Sequence, residues 1–132
     1  MKGFGTRRTI LIVDDDPAIT ESLAIIFEKH GYEVRAALSA EEAIEIIAQW
    51  EPDLAILDVM LPCMNGIEFG CVLKENYPAA QIVLLSGHPE SAQLLESART
   101  RGHNFAILAK PMNPGYILDI VAGLLPGVIG EA

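Results

Sequence analysis

The sequence predicts an α/β domain built on a parallel sheet with helices on both faces. Three observations carry that prediction. Five short apolar runs recur along the chain, most of them continuous rather than alternating, as strands covered on both faces read. Segments of helical length and period lie between the runs, bounded by capping residues. Strand and helix alternate five times with short links, a pattern that predicts consecutive parallel strands joined by crossover helices.

The first strand is the run Thr9–Val13, which drives straight into Asp14, Asp15 and Asp16. Asp16-Pro17 opens the first helix as N-cap and first helical residue. Lys29-His30-Gly31 closes it with cations in the last turn and a glycine beyond. Its core stripe is Ile19, Leu23, Ile26 and Phe27, and Ala18, Ser22 and Ile25 form a second, semi-apolar stripe. The second strand is Glu33–Leu38. Ser39-Ala40-Glu41-Glu42 is a capping box for a second helix running to about Trp50. The third strand, Leu54–Leu57, ends at Asp58, and Asn65-Gly66-Ile67-Glu68 caps the third helix. Ile82–Leu85 is the fourth strand, Pro89 opens a fourth helix, Phe105–Ala109 is the fifth strand, and Pro114 opens the last helix.

A chain of 132 residues is one ordinary domain, and 51% apolar with 20% charged residues is globular. The net charge of -9 argues against nucleic acid as a direct partner, because phosphate binding wants clustered Lys and Arg. Cys63 and Cys71 make no disulfide framework and no metal-ligand spacing, so free thiols in a reducing cytosol are expected. No apolar stretch reads as a signal peptide or a bilayer span. The reading is a cytoplasmic protein without a membrane partner.

In an open parallel sheet the ligand crevice lies outside the carboxyl ends of the strands. There stand Asp14, Asp15 and Asp16 after the first strand, Asp58 after the third, Ser86 after the fourth and Lys110-Pro111 after the fifth. Each alone reads as a turn or cap residue, and Asp16 is a plain N-cap. Together they suit phosphoryl transfer to a carboxylate. Asp58 is the nucleophile that forms an aspartyl phosphate. A divalent cation, Mg2+, offsets the repulsion, with Asp14 and Asp15 supplying further oxygens. Lys110 neutralises one phosphoryl oxygen and Ser86 donates a hydrogen bond to another.

The motifs ILIVDDDP, PDLAILDVMLPCMNG, LLSGH and LAKP resemble those of the two-component response regulator receiver domain, of the CheY-like superfamily. The resemblance spans essentially the whole chain, so residues 1–132 read as a single receiver domain with no output domain following. It implies a flavodoxin-like, doubly wound (βα)5 fold with strand order 2-1-3-4-5. It implies Asp58 as phosphoacceptor, with Asp14, Asp15, Asp58 and the backbone carbonyl of Met60 around Mg2+. Ser86 and Lys110 become the phosphoryl-sensing pair, often with the Lys-Pro bond in cis. The implied donor is a phosphohistidine on a sensor histidine kinase or a histidine phosphotransfer protein. The implied target is a downstream protein, bound through the face made by the fourth helix, fifth strand and fifth helix. Such a chain is a phosphoacceptor, not an enzyme in the usual sense. A phosphatase with an aspartyl nucleophile would want an acid two residues after Asp58, where Met60 stands.

Three features depart from the family or invite a second reading. The family's aromatic residue three before the lysine is here Ile107, with Phe105 two residues earlier on the same face. Either Phe105 substitutes or the ring-rotation switch is absent, and absence is favoured; Gly102 also sits one residue further from Lys110 than usual. The stripe Ala18, Ser22, Ile25 is either the family's kinase-docking face or one stray exposed isoleucine. The last helix, with Tyr116, Ile117, Leu118, Ile120, Val121, Leu124 and Leu125 and no Lys or Arg, is either a hydrophobic partner surface or unusually deeply buried. A monomer or weak homodimer is expected, as is a stand-alone receiver or a piece of a longer regulator. A constitutive binding adaptor with a weakened switch is the alternative function.

Overall fold

The computed structural model describes residues 7–87, 96, 105–110 and 113–125. Within them the chain runs β1 (Thr9–Val13), α1 (Pro17–Lys29), β2 (Glu33–Ala37), α2 (Ala40–Ile47), β3 (Leu54–Asp58), α3 (Gly66–Asn76), β4 (Gln81–Ser86), β5 (Ala106–Ala109) and α4 (Pro114–Leu124). Here α4 is the last helix. The helix expected from Pro89 lies outside the described residues, as do Gly102, Pro111 and the Val128–Ala132 tail. All strands pair in parallel, in the order β2-β1-β3-β4-β5.

Side chains alternate across the sheet and build two cores. Leu11, Val13, Ala55, Leu57, Ile82 and Leu84 face α2 and α3. Ile10, Ile12, Leu54, Ile56, Val83 and Leu85 face Leu23 and Phe27 of α1 and Ile117 and Val121 of α4. Every residue of β1 and β3 is buried, as their continuous apolar runs predict. β2 and β5 differ: both are edge strands and most of their residues are exposed. β2 carries Glu33 and Arg35 outward, charges of the kind that blunt an open edge.

Caps set the helix starts. Asp16 accepts from the Ala18 N–H at 3.0 Å, with Pro17 at the first position. Asn65 and Glu68 close a full capping box, at 2.8 and 3.1 Å. At α2 the box is shifted: Ser39 Oγ accepts from Glu42, but the Glu42 carboxylate takes the Leu38 N–H instead of that of Ser39. α2 also ends at Ile47 rather than near Trp50. Its final turn tightens, with Gln49 N–H bonded to the Ile46 carbonyl, and Pro52 disfavours helical backbone at Glu51. Trp50 is drawn to β2 instead, its Nε1 donating to Glu33 and its ring lying 5.1 Å under Arg35. In α1, Leu23 and Phe27 are buried while Ile19 and Ile26 are only partly so, and Thr20 joins the buried side. Gly31 ends α1 with φ 94°, the left-handed conformation expected of a glycine there.

Candidate phosphoacceptor site

Strand register brings the acids together. Val13 pairs with Leu57, so Asp14 lies beside Asp58, the last residue of β3. Asp58 pairs with Leu85, Ser86 with Ala109, and Lys110 follows one step on. The Lys110 N–H bonds the Ser86 carbonyl at 2.9 Å. Asp14, Asp15, Asp58, Ser86 and Lys110 therefore sit on one edge of the sheet.

Lys110 Nζ donates to Asp14 Oδ2 at 2.9 Å and pairs with Asp58 Oδ1 at 3.4 Å. Asp14 is 1% exposed and Asp58 6% exposed. Asp15 is exposed, and one carboxylate oxygen from each of Asp14, Asp15 and Asp58 lies within 4.8 Å of the others. Main-chain donors hold the buried acids in place: Asp16 N–H donates to Asp14 Oδ1 at 3.0 Å, and Met60 N–H to Asp58 Oδ1 at 3.2 Å. Ser86 is partly buried at the end of β4. Met60 is exposed, two residues past Asp58.

Burial, and then the charge of Asp14, push the Asp58 carboxyl above the usual aspartate range, against Lys110 and the Met60 N–H. Burial alone would lower the Lys110 ammonium, but its bond to Asp14 and the charges of Asp14 and Asp58 hold it above the ordinary lysine value. Among the described residues, the three grouped carboxylates outnumber the one ammonium that pairs with them, an excess of negative charge. Hard oxygen donors at this spacing suit a divalent cation such as Mg2+.

Beside Lys110 opens a cleft of about 580 Å3 between α1 and α4, lined by Ala18, Ser22, Ile26, Pro114 and Ile117 among others. Two of the three residues of the second α1 stripe thus line a groove at the site, and the third, Ile25, is 54% exposed nearby on the same helix. The apolar wrap of α4 is mostly spent inside the domain: Ile117 and Val121 are fully buried, and Tyr116 is its one large exposed apolar residue.

Phe105 does not occupy the place of a ring at 107. It precedes β5 and lies against Gly70 of α3, while Ile107 is 41% exposed. Gly66, read from sequence only as part of a cap, also belongs to the site: its Cα faces the Asp58 carbonyl so closely that no side chain fits.

The model of the response regulator receiver domain matches residues 10–122. The chain belongs to that family. It is 31% identical over 119 residues to the DNA-binding response regulator MtrA of Mycolicibacterium smegmatis, covering 90% of this chain and 51% of that protein. It is 37% identical over 107 residues to the transcriptional regulatory protein YvrH of Bacillus subtilis, covering 80% of this chain and 44% of that protein. The chain therefore spans about half the length of these curated relatives. The crystal structure of a CheY-like receiver domain protein from Methanospirillum hungatei superposes with a TM-score of 0.80 at 32% identity, covering 89% of this chain and 93% of that one. This receiver domain thus has the CheY-like architecture and belongs among two-component signalling proteins. The names of these relatives, proteins about twice the length of this chain, speak of DNA and transcription. Among the described residues no helix is long and apolar enough to cross a membrane.

Proposed function

We propose that residues 1–132 form a single phosphoacceptor domain that takes a phosphoryl group onto Asp58 and signals by a change of conformation. The observation that carries this reading is the buried Asp58 held by Lys110 and the Met60 N–H, with Asp14 and Asp15 alongside. Asp58 Oδ1 is engaged by these donors, so Oδ2 attacks phosphorus. The new P–O bond forms as the P–N bond to a donor imidazole breaks, and the imidazole leaves with the electron pair. The donor is a phosphohistidine of a sensor histidine kinase or phosphotransfer protein, docked along the α1–α4 cleft beside Lys110. Asp14, Asp15, Asp58 and the Met60 carbonyl would hold Mg2+, which would supply the positive charge that lets a phosphoryl group approach a carboxylate. Lys110 contacts one phosphoryl oxygen and the Ser86 hydroxyl donates to another. The phosphorylated domain shifts a pre-existing equilibrium and is read by a downstream protein. The domain acts in the cytoplasm, makes no direct contact with nucleic acid, and performs no turnover beyond its own phosphotransfer and dephosphorylation.

The test is intact-protein mass after incubation with acetyl phosphate, with and without Mg2+. One Mg2+-dependent phosphoryl adduct is expected, absent from Asp58→Asn. An Asp58→Asn protein that takes up phosphate like the wild type would sink the proposal. The second reading, a constitutive adaptor that keeps the fold without the switch, is favoured by Ile107 in place of an aromatic ring. It fails if phosphorylation changes partner affinity severalfold.

A further inference from the structure

α3 carries glycine at 66 and at 70, one turn apart and so on one helix face. Both are buried. A Cβ on Gly66 would overlap the Asp58 carbonyl oxygen, 2.9 Å from its carbon and 3.2 Å from the Val59 Cα. A Cβ on Gly70 would lie 3.2 and 3.4 Å from Cε2 and Cζ of Phe105, and 3.5 Å from Ile82 Cγ2. One face of one helix thus touches the main chain of the phosphoacceptor at its first turn and an aromatic ring at the foot of β5 at its second.

The contact at Gly66 is backbone against backbone, where neither side can yield by a rotamer change. The helix start is further fixed by the Asn65–Glu68 box and by the Gly66 N–H on the Val59 carbonyl at 2.9 Å. Gly70 sits inside the helix, where glycine costs about 1 kcal/mol relative to alanine. The Phe105 ring, partly buried against the α2–α3 core, occupies the space that alanine would take. Phe105 leads directly into Ala106–Ala109, whose exposed Ile107 is two residues on. Close-packed elements of this kind pass displacement on rather than absorb it.

We infer that α3 couples the Asp58 main chain to β5, with Gly66 as a positioning residue for Asp58 and Gly70 as the seat of Phe105. The inference rests on the phosphoacceptor reading and names the route by which that event reaches the outer strand. A shift of the Asp58–Val59 peptide moves α3, and α3 moves the Phe105 ring and the foot of β5.

Methyl NMR tests it, with 13C labels on Met and Ile methyls and beryllofluoride plus Mg2+ as the phosphoryl mimic. In the wild type the Met60 methyl reports the mimic in the site, and the Ile107 methyl is expected to shift with it. In Phe105→Leu the Met60 response persists with mimic affinity within about threefold of wild type, while the Ile107 shift falls below about half. Gly70→Ala, which pushes the ring by a few tenths of an ångström, is expected to reduce the Ile107 shift as well; Phe105→Leu decides if that variant does not fold. An undiminished Ile107 shift in Phe105→Leu overturns the inference, as does a silent Ile107 in a wild type whose Met60 responds. A folded wild type with no Met60 response overturns the phosphoacceptor reading itself.

Discussion

The two edges of the sheet treat the same side chain in opposite ways. At the amino edge, Asp53 is a satisfied carboxylate. It accepts from the Thr9 N–H at 2.9 Å, faces the Thr9 hydroxyl at 3.2 Å, and has Arg8 at 3.9 Å. The Thr9 hydroxyl in turn donates to the Glu51 carbonyl and accepts from the Asp53 N–H. This clasp ties β1 to the entry of β3 and leaves no charge to spare. At the carboxyl edge, Asp14 and Asp58 share the ammonium of Lys110, with the Asp15 carboxylate alongside. One edge spends its aspartate on stability, and the other holds like charges in a partly buried cluster that a cation or a phosphoryl group can complete. Local strain of this sort is characteristic of functional sites.

The largest expected effect comes from removing the cation that the described residues of the carboxyl edge share. Lys110→Ala leaves the buried charges of Asp14 and Asp58 with main-chain donors but without their ammonium partner and is expected to cost about 3 kcal/mol without Mg2+. Chemical denaturation in 10 mM Mg2+ should recover part of that loss; no recovery would mean that the acids do not hold a divalent ion. At the amino edge, Asp53→Ala strips the Thr9 N–H of its acceptor and is expected to cost about 2 kcal/mol. The acetyl phosphate adduct should be unchanged, and a lost adduct in a folded Asp53→Ala protein would erase the distinction between the edges.

Asp58→Asn sharpens the contrast by its sign, since it is expected to raise the melting temperature at pH 7. The Asp58 carboxyl is held above its ordinary value, so its ionisation costs stability above that range and costs nothing once it is protonated in both states. The gap between variant and wild type should close as pH falls through the raised Asp58 value toward the ordinary carboxylate range. Lys110 works the other way: its contribution is complete below the ordinary lysine value and is lost only as pH rises through its higher folded-state value. The smallest effect belongs to the loop that leaves β3 at the carboxyl edge. Cys63 has φ 69°, a left-handed conformation disfavoured for side-chain-bearing residues. Cys63→Gly is expected to gain about 0.5–1 kcal/mol in denaturant titration with the adduct unaffected.

Much of this was legible in the chain. β1 and β3 read as buried because neither has a polar residue between its ends, and the caps at Asp16 and Asn65 are local signals that the backbone obeys. The end of α2 was misplaced because the pull of Glu33 and Arg35 on Trp50 comes from another strand. The Thr9–Asp53 clasp was not read at all, since a threonine and an aspartate 44 residues apart carry no mutual signal.

The sequence by itself determined which side chains gather at the carboxyl edge. Parallel strands all end on one side, so the residue after each run is placed there by topology alone, and Asp14, Asp15, Asp58, Ser86 and Lys110 need no contact map to be gathered. Only the tertiary structure decided what the glycines of α3 face and where Phe105 rests. Those outcomes depend on close approach between segments far apart in the chain, and a missing side chain declares its purpose only when the neighbour that fills its place is known.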